Sequence, residues 1–99
     1  MARISRNVIA LHSRLRHKDG ILKQEAEGVF VLLCLEDGQY YSLNEVGSRV
    51  WELCDGARPV SEIISTICEE FDAPAATIQA DVLELLADLH NEKLVVENP

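Results

Sequence analysis

Few side chains in this sequence could support catalysis or metal binding. The histidines and cysteines are His12, His17, His90, Cys34, Cys54 and Cys68. No histidine has a cysteine or carboxylate at a spacing typical of metal ligands, and the cysteines are irregularly spaced within apolar segments, as buried thiols are. A glycine-rich phosphate loop, a nucleophile elbow and a recognised cysteine–histidine pairing are all absent. We therefore expect a protein without catalytic activity, metal or cofactor.

The sequence contains instead a predicted strand with an unprotected edge, along which backbone amides can pair with another strand. The segment GQYYSLNEVGSRVWELCDG, residues 38–56, places a short predicted strand directly before a short helix. The strand, residues 39–43, contains no proline, lysine or glutamate, so the residues that usually protect an edge strand are absent. Alternation directs Tyr41 and Leu43 toward the core and Tyr40 and Ser42 to the other face.

Hydrophobic periodicity predicts the sheet that positions this strand. Residues 21–25 and 29–35 are predicted strands, the second a central strand or one covered on both faces. The Asp37-Gly38 pair predicts a hairpin turn that leads into residues 39–43. The three strands together form an antiparallel meander.

Three helices are predicted after the meander. Asn44 is suited to cap the first helix, and Gly56 to end it in the left-handed conformation. A second helix follows Pro59, and Pro74 opens the third and longest helix. Residues 93–97 form a short terminal strand. The predicted fold is therefore α+β and winged-helix-like.

Length and composition predict one domain with a basic extension. The 99 residues, 47% of them hydrophobic, suffice for one core. Residues 1–20 are rich in charge and weakly periodic, so we predict a flexible basic N-terminal arm, followed by the folded domain over residues 21–99. The longest apolar run, residues 29–35, is too short to span a membrane, and no signal peptide is evident. We expect a cytoplasmic protein with no membrane partner.

The distribution of charge argues against a nucleic-acid partner. Residues 1–24 carry six basic side chains and one acid, a net +5, whereas residues 25–99 carry three basic side chains and sixteen acids, a net −13. An acidic body repels phosphate backbones and attracts basic partners. The predicted third helix carries Asp81, Glu84 and Asp88 and no base, unlike a DNA-recognition helix. The alternative explanation of the acids is that they keep a small protein soluble.

The sequence resembles a known family of peptide-binding proteins. Residues 43–56 read L-N-x-x-G-x-x-x-W-x-L-C-D-G and precede a helix of branched residues. This pattern is similar to that of the PqqD-like family of precursor-peptide recognition elements, and the similarity extends over residues 21–97. The resemblance implies a non-catalytic protein that binds the leader of a ribosomally synthesised peptide. It also implies delivery to a maturation enzyme, either a leader protease and cyclase, as in lasso peptide biosynthesis, or a radical SAM enzyme, as in pyrroloquinoline quinone (PQQ) assembly.

The resemblance further implies that the leader adds as a strand to the meander's third strand, beside the third helix. At about 100° per residue, the core stripe of that helix is predicted to be Ile78, Val82, Leu85 and Leu89, with a second flank about 80 to 140° from Ile78. The predicted peptide-binding residues on the strand and on this flank are Gln39, Tyr40, Tyr41, Ser42, Leu43, Gln79, Leu83, Leu86 and His90.

Two alternative functions use the same predicted elements. A winged-helix regulator would bind DNA, and an assembly domain would exchange or pair its free strand edge with a second copy. The acidic charge of residues 25–99 distinguishes peptide binding from the first alternative, DNA binding. Oligomeric state separates the second, and we expect a monomer or a weak dimer.

Overall fold

The computed structural model describes residues 9–98, which form six strands and three helices. In chain order these are strands β1 (Arg14–His17), β2 (Ile21–Ala26), β3 (Val29–Cys34) and β4 (Tyr40–Ser42), helix α1 (Glu45–Leu53), strand β5 (Asp55–Pro59), helices α2 (Val60–Glu70) and α3 (Ala75–Asn91), and strand β6 (Val95–Glu97). The strands pair antiparallel in two sheets, β2-β3-β4 and β5-β1-β6. The predicted α+β class, with its meander, three helices and terminal strand, is confirmed.

The meander follows from the alternation of side chains along β3. Phe30, Leu32 and Cys34 are buried against the helices, while the residues between them are more exposed. The turn into β4 closes where Gly38, at a φ of 73°, donates its N–H to the Cys34 carbonyl oxygen (2.8 Å). Glycine adopts this positive φ without steric cost. β3 is therefore the central strand of its sheet, covered on one face, and β4 is an edge strand.

The stretch around β1 belongs to the fold rather than to a flexible arm. β1 is the middle strand of the second sheet, and its Leu15 side chain is 0% exposed. His17 stacks on the indole of Trp51 with ring centroids 3.7 Å apart, and its Nε2 donates to the Trp51 carbonyl oxygen (2.7 Å). The expectation of a flexible arm is thus wrong for Arg14–His17; residues 1–8 of that arm lie outside the described residues.

Strand β5 was not predicted, and it changes the role of Gly56. Helix α1 ends at Leu53, and Gly56 adopts the expected positive φ (84°) inside β5. A Cβ at Gly56 would lie 3.3 Å from the Cβ of Arg16 and 3.1 Å from Asn98 Nδ2. Glycine is therefore required here for the close approach of β5, β1 and the C-terminal segment, not for ending the helix.

Three polar contacts fix α1 relative to its neighbours. Asn44 Oδ1 accepts from the Gly47 N–H (2.8 Å), which confirms the predicted N-cap. The buried Ser48 Oγ accepts from the Phe30 N–H of β3 (2.9 Å). Arg49 donates twice to the Glu70 carboxylate of α2 (2.8 Å each), and these bonds hold the pKa of Glu70 below its usual value. Together these contacts set where α1 begins and hold it against β3 and α2.

Candidate functional site

The free edge of β4 presents unpaired backbone groups in a defined register. The Gln39 carbonyl oxygen accepts from the Cys34 N–H (3.0 Å), and the Leu43 N–H donates to the Phe30 carbonyl oxygen (2.9 Å). Alternate residues of an antiparallel pair direct their backbone groups to the same side, so Gln39, Tyr41 and Leu43 face β3. Tyr40 and Ser42 therefore direct two N–H and two C=O groups away from the sheet, toward a position that a further strand can occupy.

The side chains of β4 divide as the alternation predicted. Tyr41 pairs with Leu32 and packs against the core, and Leu43 is buried. Tyr40 is 71% exposed, and Ser42 is also exposed. An added strand would thus lie beside the half-buried Tyr41 and in reach of the Tyr40 ring.

Helix α3 lies close to the junction of β4 and α1, where Gly47 is positioned between Leu43 and Leu85. A Cβ at Gly47 would lie 3.4 Å from Leu43 Cδ2 and 3.4 Å from Leu85 Cδ2. At the other end of β4, Gln39, Tyr41 and Glu92 line one small cavity. The strand therefore runs beside the last two turns of α3, and the two elements form the sides of a groove.

The electrostatic field in this groove is negative. The pKa of Tyr41 is raised above its ordinary value, first by burial and then by the charges of Asp88 and Glu92. Asp88 lies near the end of α3 and Glu92 directly follows its last residue, and both are close enough to Tyr41 to act on it. A positively charged side chain bound near Tyr41 would be stabilised by these acids.

A cavity of about 350 Å³ lies between α1 and α3, next to this groove. Its walls are mainly aliphatic and aromatic, and the end of α2 closes one side. The lining residues are Asn44, Val46, Gly47, Val50, Ile67, Phe71, Ala73, Thr77, Ile78, Asp81, Val82, Glu84, Leu85 and Asp88. This volume lies within the range of small ligand pockets, about 300 to 1,000 Å³. Asn44, Gly47, Leu85 and Asp88 connect it to the edge of β4.

The predicted site residues on α3 do not line this cavity. Leu86 is 0% exposed within the core, and His90 lines a separate cavity with Lys18 and Val95. Gln79 is exposed and Leu83 half-buried, and neither lines the cavity between α1 and α3. The five predicted residues of the strand, 39–43, are adjacent as expected, but the structure does not bring the four helix residues to them.

The orientation of α3 explains where these residues lie. The helix buries Ile78, Val82, Leu86 and Leu89, whereas Leu85 is half-buried. The core stripe is therefore centred closer to Leu86 than to Leu85, and the flank beside β4 is the opposite one, with Leu85, Asp81 and Asp88. Aliphatic periodicity did not distinguish the two, because both leucines fit a helical stripe.

Among the described residues, the other reactive side chains form no metal site. Within residues 9–98 no group of three or more histidine, cysteine, aspartate or glutamate side chains is placed to hold a metal ion. Burial raises the pKa of the Cys54 thiol to about 12, so this thiol stays protonated at neutral pH. In the same residues, no helix has the length and apolar character needed to cross a membrane.

Fold and groove together define a class of protein: a small α+β domain with an open strand edge beside an amphipathic helix. A family model described as "Coenzyme PQQ synthesis protein D (PqqD)" matches residues 30–95. The chain belongs to this PqqD family, so the resemblance seen in the sequence is confirmed.

Individual relatives agree with this family assignment. The chain is 35% identical over 89 residues to a "PqqA binding protein" of Xanthomonas euvesicatoria pv. vesicatoria (strain 85-10), covering 88% of this chain and 95% of the relative. It is 31% identical over 93 residues to a protein of the same description from Rhodopseudomonas palustris (strain HaA2), covering 94% of this chain and 83% of the relative.

Two solved structures share the fold, and both are complexes with a leader peptide. TbiB1 in complex with the TbiA(beta) leader peptide is 31% identical, with a TM-score of 0.73, and the match covers 81% of this chain and 93% of that one. A lasso peptide synthetase B1 complexed with the leader peptide is 16% identical, with a TM-score of 0.73. The match covers 84% of this chain and 98% of that one. The second similarity concerns the fold alone.

Proposed function

We propose that this chain is a non-catalytic protein that binds the leader of a ribosomally synthesised precursor peptide as an added strand along β4. The observation that carries the proposal is the outward register of Tyr40 and Ser42 beside α3. The relatives described as PqqA binding proteins, and the similarity to TbiB1 with its bound leader, support the same function.

Backbone pairing alone would not bind a peptide tightly. The four outward groups of Tyr40 and Ser42 would each contribute a net ~1 kcal/mol. Association costs about 4 kcal/mol or more. Two buried anchor side chains, at roughly 1.5 to 3 kcal/mol each, would bring the total toward the −8 kcal/mol of micromolar binding. The groove beside β4 must therefore supply side-chain contacts, and specificity resides there.

The proposed partner of the complex is a maturation enzyme that receives the bound precursor. By leaving the rest of the precursor outside the groove, strand addition makes it accessible to a second protein. This enzyme is a leader protease and cyclase of lasso type or a radical SAM enzyme of PQQ type. We place the protein in the cytoplasm, where free thiols such as those of Cys34, Cys54 and Cys68 persist.

The proposal is tested by titrating labelled leaders into the purified protein and measuring fluorescence anisotropy. The probes are PqqA, the TbiA(beta) leader and the leader of any precursor peptide encoded near this gene. We expect one-to-one binding in the micromolar range or tighter for at least one probe, which also assigns the chain to PQQ-type or lasso-type biosynthesis.

Sedimentation of the free and peptide-bound protein provides the control for edge pairing between two copies. We expect a monomer, or a weak dimer that the leader dissociates, because one edge cannot serve both partners. A stable dimer that binds none of the three probes would contradict the proposal and favour an assembly function.

A further inference from the structure

The cavity between α1 and α3 has an apolar interior that the core does not fill. Val46, Phe71 and Leu85 are half-buried at this cavity, although each packs against core residues. Its deeper walls include Val50 and Ile78, which are buried. Apolar side chains left partly solvated around a concavity mark a place where a partner's side chain can be buried.

The edge of this cavity carries three acids that form no ion pair within residues 9–98. Asp81, Glu84 and Asp88 are all exposed, and they line the cavity at a spacing that puts them on one side of α3. The ion pairs within residues 9–98 involve other acids, among them Glu36 and Glu70. Like charges this close on a helix repel one another, so a bound cation would relieve a repulsion that the free protein carries.

The cavity lies next to the proposed binding edge. Asp88 lines the cavity and also raises the pKa of Tyr41 on β4. Leu85 lines the cavity and lies against the position of Gly47, next to Leu43 at the end of β4. A peptide paired with Tyr40 and Ser42 therefore reaches the cavity with the residues just beyond its paired stretch.

Resting on the proposed function, we propose that this cavity takes a large aliphatic or aromatic side chain of the bound peptide, and that Asp81, Glu84 and Asp88 select a lysine or arginine beside it. The apolar walls bury the anchor, and the acids attract the adjacent base and disfavour an acid. The occupant is thus the leader itself, through an apolar residue flanked by a basic one.

The test begins with a displayed library of random peptides selected against the wild-type protein. We expect the enriched peptides to contain lysine or arginine next to an aromatic or branched aliphatic residue. The best of them is then synthesised, and its affinity is measured for the Asp81→Asn/Glu84→Gln/Asp88→Asn variant. Binding should weaken on the order of ten-fold, since three partly screened charge contacts are lost. Alanine in place of the apolar anchor should weaken binding in both proteins.

The matched control is the Glu25→Gln/Glu69→Gln/Glu97→Gln variant. These three acids are exposed, do not line the cavity, and their replacement changes the net charge equally. We expect this variant to keep wild-type affinity at physiological salt. Equal losses in the two variants would show a general charge effect and overturn the inference.

The selection also separates this inference from the proposed function. Peptides that bind wild type, fail to bind Ser42→Pro and show no excess of basic residues would overturn the cavity assignment while supporting strand addition. Selected peptides that bind Ser42→Pro and wild type equally would count against the proposed function itself.

Discussion

A Ser42→Pro variant is expected to lose leader binding while keeping its fold. The Ser42 N–H points away from β3, so proline there removes no hydrogen bond of the meander. It does remove one donor to the added strand and leaves a peptide carbonyl unsatisfied, at a cost of about 1 to 3 kcal/mol, or roughly ten- to hundred-fold in affinity. The bulk of the ring at the edge adds to this loss. Anisotropy titration with the leader measures the effect, and circular dichroism checks the fold.

Two further variants make this result specific. Ser42→Val keeps the amide and changes only an exposed side chain, so it should bind within a few-fold of wild type. Tyr40→Pro blocks the other outward amide and should behave like Ser42→Pro. Full affinity in both folded proline variants would place the peptide on a different surface.

A Leu15→Ala variant is expected to be strongly destabilised. Leu15 is fully buried in the middle strand of the second sheet, so truncation leaves a cavity that costs about 2 to 5 kcal/mol. Small domains have total stabilities of about 5 to 15 kcal/mol, so the loss should lower the melting temperature by roughly 10 °C or more. Urea denaturation followed by tryptophan fluorescence is a suitable measurement, because Trp51 contacts His17 of the same strand.

Leu11→Ala is the matched control for this experiment. Leu11 lies four residues earlier in the chain and is 46% exposed, and its backbone carbonyl oxygen accepts from the Ser61 N–H (2.9 Å), a bond that truncation of the side chain leaves in place. Its truncation should lower the free energy of unfolding by much less than Leu15→Ala does. Equal stabilities of Leu15→Ala and wild type would mean that this stretch is an arm after all.

Local signals were sufficient to predict the elements that carry the binding edge. The Asp37-Gly38 turn specified the hairpin, and the Asn44 cap specified where the strand gives way to α1. Alternation along β4 then assigned Tyr41 and Leu43 to the core. These predictions succeeded because each depends on a few neighbouring residues with strong conformational preferences.

Tertiary packing determined the features that the sequence did not predict. β1 has one fully buried residue, Leu15, between two arginines, and β5 contains a glycine and a proline, so neither has the pattern of a strand. Both form through tertiary pairing, because β1 lies between β5 and β6 and pairs with each of them. The rotation of α3 is likewise set by what it packs against. The acids Asp81 and Asp88 were visible in the sequence, but only the position of β4 reveals that they border a groove.

The most direct test of strand addition is amide hydrogen exchange at Tyr40 and Ser42, measured by NMR with and without saturating leader peptide. In the free protein we expect both amides to exchange quickly, because they face away from β3, while the amide of Tyr41 is protected by its pairing with Leu32. Bound leader should protect Tyr40 and Ser42 strongly and leave Tyr41 little changed. Unaltered exchange at both positions in a saturated complex would contradict binding at the β4 edge.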